Sequence, residues 1–382
     1  MNNKIINTGF ALLLLAFIIS CSPEYEATDN GIYFGEAQEG NSKKITIKND
    51  GAETNLYLSL AAPKSENVSA TVVSDTQVLD EFNKKNGTNY LPLPEGFYTL
   101  SGNECIIEAG KLSSPLIDIK VNAFDSTLLE SEKYAIPVKI ASSDGINILE
   151  PSSGMVIICD KIIYTKAFFS SGGATGASPT YAYTVAEGDA LSDNLQSWTI
   201  EFLVYAKSFS LNKHIMRFRD DNNKATLFSR FGEYSRPVDE IQFKILNVPI
   251  YGTKLFTPQR WYHVALTNDG TNLKLYQDGV LDAVLPKPEP GTKDTWREFH
   301  LANGSGGAMS EFRIWNTVRT QAEIANNMYA INPETEGLIS YWKINEGTGG
   351  VGSKIIDHTN NGRDLTLKKS GTWRDVTFPP EY

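Results

Sequence analysis

The chain has 382 residues, 41% of them hydrophobic, which is enough apolar content for packed cores in two domains of ordinary size. Its 35 basic and 45 acidic side chains leave a net charge of −10 with no basic run, which argues against a nucleic-acid partner. Only three cysteines occur, Cys21, Cys105 and Cys159, and their separations make no zinc-binding spacing.

The chain opens with Lys4, an apolar run from Gly9 to Ile19, and Ser20 directly before Cys21. A charged start, a short apolar stretch and a small residue at the cut describe an export signal, and the run is too short to cross a bilayer as a helix. A cysteine at that point resembles the lipobox of bacterial lipoproteins, with an ordinary cleaved signal as the alternative. The resemblance implies that residues 1–20 are removed, that the Cys21 thiol is acylated, and that lipid tethers the mature chain. Residues 21–30, with Pro23 and three acidic side chains, read as a tether. Glu24 and Glu26 beside Cys21 point to the cell surface, so the expected location is the outer membrane, lipid-anchored and outward-facing.

Short strands punctuated by Gly, Asn, Asp and Pro follow. Lys44–Lys48 and Asn55–Leu60 alternate, and Ala70–Val73, Glu104–Glu108, Leu116–Val121, Ala135–Ile140 and Met155–Cys159 continue the pattern of a half-buried sandwich sheet. Cys105 and Cys159 lie in these runs and read as two buried thiols, a disulfide being the alternative. One helix interrupts, capped by Ser74 or Asp75, with Val78, Leu79 and Phe82 on one face and a stop at Asn86-Gly87. The run Asp80–Tyr90, then Leu93-Pro94-Glu95, Tyr98-Thr99-Leu100 and Tyr134–Val138, resembles an N-terminal domain common in Bacteroidetes surface lipoproteins. That resemblance implies an immunoglobulin-like β-sandwich over residues 31–163, of a kind found ahead of endoglycosidase and lectin-like modules, and acting as a spacer.

A Ser/Gly/Ala/Thr stretch from Ser170 to Ser178 follows the boundary, which is placed near Tyr164. Residues 164–382 then give strands at Trp198–Tyr205, His214–Phe218, Ala225–Phe231, Ile241–Ile245, Arg260–Asn268 and Leu273–Gly279, the last two joined by an Asn-Asp-Gly turn. Further on come Ser310–Asn316, a helix over Thr320–Tyr329 with Thr320 and Glu323 as a capping box, and a final strand pair, Leu338–Ile344 and Asp364–Leu367. Trp261–Ala265 with Leu275–Gly279, Glu311–Asn316 with Ala322-Glu323-Ile324, and Gly337–Trp342 with Asp357–Gly362 resemble three ordered motifs of the laminin G-like branch of concanavalin A-like jelly rolls. The fold class expected is therefore all-β, an immunoglobulin-like sandwich followed by a jelly roll.

Such jelly rolls host lectins and hydrolases alike, so the site must decide. Glycoside hydrolysis needs two carboxylates about 5–10 Å apart, and the Glu-x-Asp-x-x-Glu strand string of related hydrolases is missing. The four histidines are isolated, and neither His-Glu-x-x-His nor Gly-x-Ser-x-Gly occurs. The glycine-rich Asn303–Gly307 lacks the lysine of a phosphate loop. No catalytic residue is assigned and no cofactor is required. Calcium enters through the resemblance, with Asp220, Asp221 and Asp357 as candidate ligands; Ser310-Glu311 stands where the family often has Asp-Glu. Sugar rings stack on exposed aromatics, and the candidates for that role are Tyr234, Tyr251 and Trp296, in polar, turn-rich surroundings. The preferred expectation is a non-catalytic, lipid-anchored glycan-binding protein that holds polysaccharide or oligosaccharide near the membrane, beside other outer-membrane glycan-uptake proteins. An adhesion or assembly protein and a hydrolase with a scattered site are the alternatives.

Overall fold

A computed structural model describes residues 30–125, 127–129, 131–170, 183–185, 191–220, 225–301 and 306–381. Cys21, most of the Ser170–Ser178 stretch and Asp221 lie outside the described residues.

The first unit is a β-sandwich. One sheet runs in the order Ser42–Ile47, Gly154–Lys161, Tyr134–Ser143, Val68–Ser74, Glu104–Ile107; facing pieces are built from Ala52–Leu56, Ile117–Val121 and Tyr98–Leu100, and from Asn147–Ile148, Gly31–Phe34 and Leu58–Leu60. Alternation is visible in burial: Ile117, Ile119 and Val121 are enclosed while Asp118 and Lys120 face water. Asn55–Leu60, expected as one strand, is two. The chain changes sheets at Tyr57, so that Leu56 pairs with Ile117 and Leu58 with Phe34. Both leucines still point inward, because the two-residue period survives the corner.

The expected helix spans Thr76–Asn86. Asp75 caps it by accepting the Gln77 N–H at 2.9 Å, and Gly87 ends it at φ +62°. Its Leu79, with Val78 and Phe82, packs on Ala135, Val156 and Ile158. Cys105 and Cys159 are buried and unbridged. Their strands stand three places apart in the sheet, roughly 14 Å at the usual interstrand spacing, beyond the reach of a disulfide.

Between Lys161 and Ile163 the chain passes into a second sandwich. Its back sheet runs Val280–Pro286, Asn272–Gln277, Trp261–Asn268, Trp198–Tyr205, Ala308–Trp315, Ile163–Ser170, Gly371–Phe378, with Leu338–Trp342 also paired to Ala308–Trp315. Its front sheet runs Val248–Tyr251, Ile241–Ile245, Ala225–Phe231, Lys213–Arg219, Glu298–Leu301, Tyr183–Val185, Leu365–Leu367, Lys354–Ile355. The two C-terminal strands expected to pair therefore sit in opposite sheets. Backbone contact between their neighbourhoods is a single bridge, Trp342 to Asp357.

Aromatic rings fill the space between the sheets: Phe218 stacks on Trp296 (centroids 4.4 Å apart) and on Phe299 (4.8 Å), and Phe299 continues to Phe312 and Trp342. The central strands of the back sheet, Trp261–Asn268, Trp198–Tyr205 and Ala308–Trp315, are buried on both sides. Their outer face lies under the Gln321–Asn326 helix, whose Ile324 packs on Ala265 and Tyr276, and under Ile331 and Leu338 against Trp315 and Tyr341. Thr320 and Glu323 form the expected capping box.

Candidate functional site

Two polar constellations stand out, and only one can be reached. Under the helix, Glu201 and Glu311 share Arg313: Arg313 Nη2 donates to Glu311 Oε2 at 2.6 Å and Nη1 lies 3.5 Å from Glu201 Oε1. Trp315 Nε1–H donates to Glu201 at 2.8 Å, the Tyr341 hydroxyl donates to Glu311, and His263 Nε2 lies 3.3 Å from Glu201 Oε2. Arg313 also donates to the Asn327 carbonyl at 2.6 Å, tying the chain beyond the helix to the sheet. Burial alone would raise the Glu201 carboxyl, but His263 and Arg313 outweigh it and hold it at about 2. For Glu311 burial prevails and its carboxyl is pushed up. All these groups are under 9% exposed, so no sugar reaches the two carboxylates. The cluster is structural, and it occupies Glu311, which is therefore no calcium ligand.

The front sheet is different. Its inward positions, Phe218, Leu227, Phe243 and Phe299, are fully buried, whereas the outward Arg217, Phe228, Arg230, Lys244 and His300 are half-buried and Gln242, on the same side, is 2% exposed. Register places Lys244, Phe228, Arg217 and His300 side by side on four successive strands. Past Tyr183–Val185 the same row reaches Thr366 and Lys354. A second row sets Tyr251, Gln242, Arg230 and His214 abreast.

Contacts hold this surface in shape. Arg230 Nε donates to Gln242 Oε1 and Nη1 to Asn212 Oδ1, each at 2.7 Å, and its Nη2 pairs with Glu233. Phe228 is flanked by His214 (ring centroids 5.6 Å apart), the Arg230 guanidinium (5.6 Å) and Lys244 Nζ (5.9 Å). His300 Nε2 lies 3.0 Å from Glu298 Oε2. Burial first, then the charges of Arg217 and Arg230, pushes the His214 imidazole down to about 4, so it is neutral near pH 7. A half-buried ring, cations with no carboxylate partner among the described residues and a neutral imidazole, fixed on one face of a sheet, are groups that can meet a polyhydroxylated ring, while buried Gln242 holds Arg230 in place.

The residues named from sequence fare differently. Trp296 is no surface platform: it is 1% exposed, on the Asp294–Trp296 strand, wedged between Trp198 (5.2 Å) and Phe218. The polar neighbours that suggested exposure belong to a three-residue strand whose alternate position faces the core. Tyr251 is on the front face at its edge, with the Arg236 guanidinium 4.0 Å over its ring and Arg236 in turn paired to Glu240. Tyr234 is 77% exposed, in the turn whose Glu233 and Arg236 reach back to that face.

Of the calcium candidates, Asp220 is half-buried at the end of the Lys213–Arg219 strand. Asp357 is already spent: its oxygens accept from the N–H groups of Tyr341, Thr359 and Arg363 and from the Thr359 hydroxyl, closing the turn. It does not fit a metal. Among the described residues no three His, Cys, Asp or Glu side chains converge. Sequence reasoning missed Phe228, Arg217, Arg230, Gln242 and Lys244. Each sits at an alternate position of its own strand, but only strand register brings them together.

Residues 178–325 match the family model of the concanavalin A-like lectin/glucanases superfamily. The second unit carries a concanavalin A-like domain. Residues 28–147 match a family model described as an N-terminal domain. No curated protein matches the chain. First unit and concanavalin A-like domain together resemble a candidate carbohydrate-binding protein from Bacteroides ovatus, with 22% identity, 92% of this chain and 98% of that one covered, and a TM-score of 0.57. Over 34% of this chain and 30% of the other, it is 22% identical to Bacteroides thetaiotamicron EndoBT-3987 solved with Man5GlcNAc product, at a TM-score of 0.29. A SAP-like pentraxin from Limulus polyphemus is 10% identical over 55% of this chain and 94% of its own, at a TM-score of 0.38. At 22% identity the likeness to the Bacteroides ovatus protein concerns the fold alone.

Proposed function

We propose that this protein is a non-catalytic glycan-binding protein, held at the outer membrane by lipid on Cys21, which retains polysaccharide at the cell surface for uptake. The observation that carries the reading is the front-sheet row in which half-buried Phe228 stands in register between Arg217 and Lys244, with the His214 ring 5.6 Å away in the row beside it. Its carboxylates, Glu233, Glu240 and Glu298, are engaged by Arg230, Arg236 and His300, an arrangement that favours binding over acid–base chemistry. The first sandwich acts as a spacer between lipid and binding face.

The test is affinity electrophoresis of the chain without its signal against a panel of neutral and charged polysaccharides. Wild type is expected to be retarded by at least one, and Phe228→Ala to lose about 1–2 kcal/mol of that affinity, the worth of one well-placed ring. Retardation by none, or full retention in Phe228→Ala, would sink the proposal. For the anchor, Cys21→Ala should move the protein from the membrane fraction to the soluble fraction.

A further inference from the structure

The front face is cationic on an acidic chain. Arg217, Arg219, Arg230 and Lys244 project from three consecutive strands, while the whole chain carries −10. Arg230 is committed to Glu233, Gln242 and Asn212. Arg217 and Lys244 have no carboxylate partner among the described residues, though both are half-buried. They flank Phe228 in register, one on each side, about 10 Å apart across two interstrand spacings. Crowding registers in titration as well: burial first, then the charge of Arg219, pulls Arg217 below an ordinary guanidinium. An uncompensated cation pair astride an aromatic ring is stabilised by anions placed on either side of an apolar ring face. General polyanion attraction does not explain the feature, because the overall charge repels polyanions at a distance.

We infer that the ligand is an acidic polysaccharide lying across the strands, with one sugar ring over Phe228 and carboxylate or sulfate groups of neighbouring rings at Arg217 and Lys244. This rests on the glycan-binding reading and narrows it to a substrate class. Arg217 is the specificity residue, since its planar fork suits a bidentate oxyanion, and Lys244 supplies a point charge.

Two matched pairs of polymers isolate the charge: polygalacturonate against its methyl ester, and dextran sulfate against dextran. Calorimetry at fixed salt is expected to show binding to at least one acidic member and at least ten-fold weaker binding to its neutral twin. The two pairs also separate carboxylate from sulfate. The double variant Arg217→Gln, Lys244→Gln should bind the acidic polymer about 10²-fold more weakly, and with a shallower salt dependence, as expected for two charge-assisted contacts. Arg217→Lys should fall between, because it keeps the charge and loses the fork. Tryptophan fluorescence melts confirm that the variants fold. Equal binding to acidic and neutral twins would overturn the inference and leave glycan binding standing. No binding to any of the four polymers together with retardation by another neutral glycan would do the same. Duplex DNA bound as tightly as the acidic polymer, or a double variant of unchanged affinity, would overturn it as well. Absence of binding to every polysaccharide would remove the reading beneath it.

Discussion

Replacing Trp296 by alanine separates the buried role of this side chain from a sugar-binding one. Its indole is 1% exposed and touches two rings that cannot swing in to fill the gap, Phe218 stacked at 4.4 Å and Trp198 at 5.2 Å. Large-to-small changes of aromatic core residues cost about 3–5 kcal/mol, and a site that cannot collapse lies toward the upper end. For a domain of this size, each kcal/mol lowers the melting temperature by about 2–4 °C, so Trp296→Ala should melt about 6–20 °C lower. All six tryptophans, from Trp198 to Trp373, lie in the second unit, so indole fluorescence follows that unit alone. Trp296→Phe keeps a ring against Phe218 and should recover more than half of the loss. Glycan affinity measured well below both transitions should match wild type. A melting point within about 1 °C of wild type, together with lost affinity, would refute the argument and restore Trp296 as a platform.

Other expectations follow from the same coordinates. Arg313→Met leaves Glu201 and Glu311 buried without their shared cation and should cost about 3–5 kcal/mol in urea unfolding followed by indole fluorescence; under about 1 kcal/mol would mean the cluster is hydrated. Cys105 and Cys159 should resist thiol reagents at pH 8 while folded and react fully in denaturant, since burial raises both thiols and pushes Cys159 up to about 12. Burial first, then the facing charges of Arg217 and Arg230, push the His214 imidazole from 6.5 down to about 4 in the folded chain. The unfolded chain takes up that proton first, so the stabilising contribution is complete above pH 6.5 and is lost as pH falls toward 4. His214→Gln should flatten the melting curve across that window, and an unchanged pH profile would count against the geometry.

Much of the architecture was legible locally. Alternation gave the strands at Lys44–Lys48 and Trp198–Tyr205, and cap chemistry gave both helix starts, because each is decided by residues within a few positions of one another. What failed depended on partners far along the chain. Tyr57 looked like the middle of one strand, since only the two separate neighbours of Leu56 and Leu58 reveal a corner. Trp296 sits among Lys293, Asp294, Arg297 and Glu298, and its burial is imposed by Trp198 and Phe218, about a hundred and about eighty residues away. Asp357 had the composition of a ligand and the geometry of a turn clamp. The front-face row was invisible for the same reason: Arg217, Phe228 and Lys244 are neighbours only through strand register.

That the row runs across the hydrogen-bond ladder has a consequence for what it can measure. Its members are spaced by the backbone, at roughly 4.8 Å per strand, and neither loop length nor rotamer choice resets that pitch. The surface therefore behaves as a ruler. A polymer whose repeat is commensurate with the pitch keeps its rings in step with the successive side chains Lys244, Phe228, Arg217 and His300, while one of another linkage drifts out of step after a few rings. Discrimination of this kind accumulates with length, so short fragments of right and wrong polymers should look alike and long ones should not.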